Sequence, residues 1–116
     1  MPYRIPFDEL PWQACGAGVR EKVHRCAEQL LRRVEYGADM PPHWCERGHI
    51  GTILSGRFEI EFASGTYVFE AGDGVDIPAG PAHRHRARAL TERVTALFVE
   101  SPSPPDGGQP VAGGER

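Results

Sequence analysis

Glycine and proline limit this chain's folding choices more than any other feature. There are 14 Gly and 11 Pro among 116 residues, more than a fifth of the chain. Both residue types weaken helix interiors. Such punctuation excludes a helical bundle and favours many short strands joined by tight turns. The length suits one domain with one core. Turn signals recur at Gly37, Pro41 and Pro42, Ser55 and Gly56, Ser64 and Gly65, Gly72 to Gly74, and Pro78 to Pro81. From residue 101 onward the chain is rich in Pro, Gly and Ser, and Val111 is its only sizeable aliphatic side chain. That segment buries too little to offset its ordering entropy, so residues 101–116 are predicted to be a disordered tail.

The runs between the turns read as strands. In 57–62, Phe58, Ile60 and Phe62 alternate with Arg57, Glu59 and Glu61, the period of a half-buried strand. Ser64 and Gly65 suit a hairpin turn into 66–69. Val75 and Ile77 flank Asp76, and 94–99 reads as a last buried strand. Phe58, Ile60, Phe62 and Phe98 are candidates for core or pocket lining. Residues 19–35 are ambiguous. Val19, Val23, Cys26, Leu30 and Val34 sit at helical spacing, so periodicity alone favours one amphipathic helix. The rival is a hairpin of 19–25 and 30–36 turning near Ala27 and Glu28.

Composition removes several function classes. Net charge is −3 and the pI about 5.9, which disfavours nucleic acid as a partner. No run approaches the roughly 18 apolar residues of a membrane span. The N-terminus shows no apolar secretory region, and three cysteines make an odd number. A reducing cytoplasm is the expectation, and a disulfide scaffold is not. There is no phosphate-binding Gly-rich loop, no Gly-x-Ser-x-Gly and no paired Cys-x-x-Cys.

Histidine carries the chemical signal. Four of the five lie in two short stretches, 37–56 and 72–85. Strand residues two apart point the same way. His43 and Cys45 then share a face, as do His83 and His85, and His49 has the parity of His43. Tertiary structure that lays these faces together would gather imidazoles and a thiol, good ligands for borderline-soft divalent metals. A lone strand histidine is more often a satisfied polar residue, and a lone cysteine a small buried hydrophobe. Clustering is what favours the metal. His24 has no such partner and reads as structural. Arg84, Arg86, Arg88 and Arg93 form a basic run, the first three facing away from His83 and His85. A solvated strand face explains them best, an anionic ligand or subunit contact less well. Glu59 and Glu61 read likewise. Trp44, opposite in parity to His43, suits an edge or an interface.

The two stretches resemble the paired motifs of the cupin superfamily. Gly37, His43, Cys45, His49 and Gly56 occupy the positions of the first motif, and Gly72, Pro78, Gly80, His83 and Ala87 those of the second. The resemblance covers roughly residues 19–100. It implies an all-β, double-stranded β-helix (jelly-roll) barrel, with residues 1–18 as an N-terminal arm. It also decides 19–35 in favour of the hairpin. Cys45 stands where the family has a second metal His, His49 where it has a metal Glu, and Ala87 where it has an Asn. Carried over by position, the implied ligands are His43, Cys45, His49 and His83. His85 is an extra imidazole, either a substitute ligand or a catalytic acid–base. Loss of the carboxylate softens the site. Zinc is the first choice of cofactor, with nickel, iron, copper and manganese behind it. The implied function is metal-assisted isomerase, lyase or oxygenase chemistry on a small molecule. The alternatives are a non-catalytic ligand-binding or sensing module and a purely structural metal closed by all four ligands. A homodimer is implied by the resemblance only.

Overall fold

The punctuation predicted from glycine and proline cuts the chain into nine strands across the described residues, 3–101, of the computed structural model. They are β1 (Gln13–Gly16), β2 (Val19–Cys26), β3 (Gln29–Gly37), β4 (His49–Ser55), β5 (Arg57–Phe62), β6 (Gly65–Glu70), β7 (Gly74–Ile77), β8 (His85–Ala89) and β9 (Arg93–Glu100). Two 3-10 turns, Phe7–Glu9 and Pro81–His83, complete the described elements. No helix among the described residues is long and apolar enough to cross a membrane. The predicted tail lies outside the described residues apart from Ser101.

The strands form two antiparallel sheets. One has six strands in the order β1-β2-β3-β9-β4-β7, the other three in the order β6-β5-β8. Burial alternates along β3, β5, β7 and β9. In β9, Val94, Ala96, Phe98 and Glu100 are buried and the residues between them half-buried. In β5, Phe58 and Ile60 are buried, as their alternation predicts. Together with Val34, Met40, Ile53, Val75 and Ile77 they make one core shared by both sheets.

The segment 19–35 is a hairpin. β2 and β3 pair antiparallel from Val19↔Tyr36 to Cys26↔Gln29, leaving Ala27 and Glu28 as the turn. The arm does more than lead in. β1 extends the larger sheet beyond β2, and Lys22 Nζ donates to the Phe7 carbonyl at 2.7 Å while lying over the Trp12 ring. The outward face of the small sheet is an ion-pair surface. Arg86 donates to Glu61 and Arg88 to Glu59, and Arg84 and Arg86 both pack on Trp44.

Two glycines set the geometry near the site. Gly51 sits in β4, two residues from His49. A Cβ there would meet the Leu97 carbonyl oxygen at 1.9 Å, so only hydrogen lets β9 approach this closely. Gly56 turns β4 into β5 with φ at +87°, a conformation L side chains avoid.

Candidate metal centre

A cavity of about 500 Å³, mouth included, opens between the sheets. Most of its wall is apolar: Met40, Phe58, Ile60, Val75, Ile77 and Phe98, with the Tyr36 ring stacked on Phe58. His43, Cys45, His49 and His85 supply most of its polarity. Among the described residues, one group of potential metal ligands draws together. The ligating atoms of Cys45, His49 and His85 all lie within 4.8 Å of one another.

Each of the three is placed by backbone. Cys45 and His85 face each other across an isolated antiparallel bridge. The Cys45 N–H donates to the His85 carbonyl at 2.8 Å, and the His85 N–H to the Cys45 carbonyl at 2.9 Å. Cys45 Sγ accepts the Arg47 backbone N–H at 3.5 Å. His85 is 4% exposed, and its Nδ1 lies 3.0 Å from the His83 carbonyl oxygen. A carbonyl only accepts, so Nδ1 carries the proton and Nε2 keeps its lone pair. Burial pushes the His85 pKa below the ordinary imidazole value. Neighbouring His49 and His43 push the same way, against the opposing His83 carbonyl. His49 comes from β4, on the facing sheet. Its ring packs on Phe98 at 4.9 Å and edge-on to His85 at 5.4 Å. Its Nδ1 lies 2.8 Å from Glu100 Oε2.

Of the four implied ligands, Cys45 and His49 stand in the group, and His85 joins them. His43 lines the cavity but lies outside the group. His83 is exposed and lies outside both the group and the cavity lining. The physical reason is local. His83 ends the Pro81–His83 turn, whereas His85 opens β8. The shared-face expectation for 83 and 85 needs continuous strand, which the turn interrupts.

The family model of the cupin domain matches residues 30–100, more than half of the chain. The chain belongs to the cupin family. Solved structures similar to this cupin include KdgF from Halomonas sp., 27% identical, with a TM-score of 0.67 over 85% of this chain and 92% of that one. An RmlC-like cupin from Shewanella frigidimarina is 16% identical, with a TM-score of 0.67 over 91% of this chain and 96% of that one. The polyketide cyclase RemF from Streptomyces resistomycificus is 16% identical, with a TM-score of 0.69 over 87% and 80%. The last two likenesses are of fold alone. No curated protein matches the chain.

The donor set of this cupin fits a tetrahedral ion. Zinc–nitrogen and zinc–sulfur bonds of about 2.0–2.3 Å place neighbouring ligand atoms roughly 3.3–3.8 Å apart. Three donors within 4.8 Å meet that with small side-chain adjustments. Two residues beside the site were missed by sequence. Glu100 and Arg32 are 4% and 2% exposed and pair at 3.0 Å. The signal was strand parity: Glu100 aligns with Phe98 and Ala96, and Arg32 with Leu30 and Val34.

Proposed function

We propose that this cupin holds one divalent metal ion, zinc first, through Cys45, His49 and His85, and offers a small molecule the adjoining cavity. The observation that carries this is the convergence of three ligating atoms within 4.8 Å at the wall of an otherwise largely apolar pocket. A bound divalent ion would supply Lewis acidity to a ligand oxygen. The chain's residues supply the rest. Phe58, Ile60, Val75 and Phe98 exclude water and select an apolar body. His85 serves as a ligand, so acid–base work falls to His43, which lines the same cavity and is exposed to solvent. A shared scaffold leaves both the reaction and the substrate open. Exposed Ile50 and Leu54 on the outer face of β4 support a homodimer.

The second reading makes the metal structural, with His43 as a fourth ligand. Its presence in the same lining favours that possibility. Metal content and coordination number decide. Wild type and His83→Ala should each carry about one zinc per chain, while Cys45→Ala and His85→Ala should lose most of it. Full occupancy in His85→Ala, or loss in His83→Ala, would overturn the assignment. In cobalt-substituted protein, a fourth site filled by exchangeable water supports ligand chemistry, and four protein ligands support the structural reading.

A further inference from the structure

We infer that Glu100 is a positioning residue for the metal centre: its carboxylate fixes the tautomer and orientation of His49. The inference rests on the proposed ligand set, since its purpose is to prepare His49 for a metal. Glu100 ends β9, the strand paired with the start of β4, so its carboxylate lies beside His49 although the two are far apart in sequence.

The geometry is specific. Glu100 Oε2 lies 2.8 Å from His49 Nδ1 and 3.0 Å from Arg32 Nη1, and Oε1 lies 3.4 Å from Arg47 Nη2. The carboxylate side chain is 1% exposed, so bulk water does not compete for these contacts. Arg32 and Arg47 supply the compensating charge. A carboxylate with guanidiniums on both oxygens is an acceptor, so Nδ1 is the donating nitrogen of the His49 ring. With Nδ1 turned to Glu100, Nε2 is the nitrogen that would meet a metal. The second hold is mechanical. Phe98, two residues before Glu100 on β9, packs against the same ring at 4.9 Å, so one strand sets both the face and the edge of His49.

His85 offers the contrast. Its Nδ1 donates to a neutral carbonyl, whereas His49 faces an anion. A carboxylate partner raises ligand basicity more than a peptide oxygen does. The two imidazoles are therefore unequal, with His49 the stronger donor. Arg32, which also donates to Glu21, locks the carboxylate in turn.

Two measurements test this. The first is the tautomer of His49 in metal-free wild-type protein at pH 8, read from long-range proton–nitrogen correlation NMR. A proton on Nδ1 is expected, and one on Nε2, or on both nitrogens, overturns the inference. This readout needs no metal, so it stands apart from the proposed function. The second is zinc affinity by competition with a chromophoric chelator. Glu100→Gln keeps the shape and should weaken zinc binding by about 10- to 100-fold. The same substitution in a His49→Gln background should change affinity less than threefold, because the residue it acts through is gone. An equal loss in both backgrounds, or no loss in either, overturns the positioning role. Circular dichroism verifies the fold of each variant, and if Glu100→Gln does not fold, the wild-type tautomer decides alone.

Discussion

Replacing Arg32 by Met removes a buried cation and leaves its partner in place. Arg32 makes charge-assisted hydrogen bonds to Glu100, at 3.0 Å, and to Glu21. Bonds of this kind contribute about 1.5–3 kcal/mol each, so losing both costs roughly 3–6 kcal/mol before relaxation. Glu21 regains some water, its side chain being 21% exposed, whereas Glu100 at 1% does not. Arg47 still faces Oε1 at 3.4 Å and trims the loss. A net destabilisation of about 3–4 kcal/mol follows, within the range for breaking one side of a buried ion pair. With a urea m-value of about 1–2 kcal/mol/M, the unfolding midpoint should fall by roughly 1.5–4 M. Arg33→Met is the control one residue along the strand, on the outward face. Its partner Asp8 is 95% exposed, so that loss should stay under about 1 kcal/mol. Urea unfolding of metal-free protein, followed by tryptophan fluorescence, compares the two. Equal losses, or a loss below about 1 kcal/mol for Arg32→Met, would refute the view that the inward pair is held by desolvation.

Further outcomes follow from the same geometry. Gly51→Ala should destabilise the fold by about 1–3 kcal/mol or more, because the added Cβ meets the Leu97 carbonyl oxygen at 1.9 Å; a thermal midpoint equal to wild type would contradict the close approach. The depressed pKa of His85 means that the unfolded chain takes up a proton before the folded one. In metal-free protein its contribution to stability is complete above about pH 6.5 and is lost as pH falls from there through the folded-state pKa, at up to about 1.4 kcal/mol per pH unit. Urea midpoints at pH 7.5, 6.5 and 5.5 should therefore fall more steeply for wild type than for His85→Asn, and parallel curves would count against the assignment.

Much of the fold could be read from single strands. Alternation in 57–62 and 94–99 depends on burial alone, and both segments form as read. Residues 19–35 misled periodicity for a definite reason. Val19 and Val23, and Leu30 and Val34, are four apart, and a spacing of four satisfies both a helix and a strand. The turn at Ala27 and Glu28 has neither Gly nor Pro to announce it. At the site, 43–48 is not continuous strand, and Cys45 meets His85 through an isolated bridge rather than through parity; Pro81 likewise begins a turn that breaks the shared face of His83 and His85. Parity turns Glu100 inward, but what it pairs with was out of reach. Its partner His49 is 51 positions away, and only closure of β4 against β9 brings the two together.

The paired backbone hydrogen bonds between Cys45 and His85 have one more consequence. Two corners of the proposed ligand triangle are tied by one backbone bridge, while the third, His49, is mounted on the opposite wall. An ion seated there would rivet the walls together, and its grip would gauge the gap between them. Anything wedged into the lumen would strain that rivet along one edge, so cargo and ion would report on each other even where they never touch.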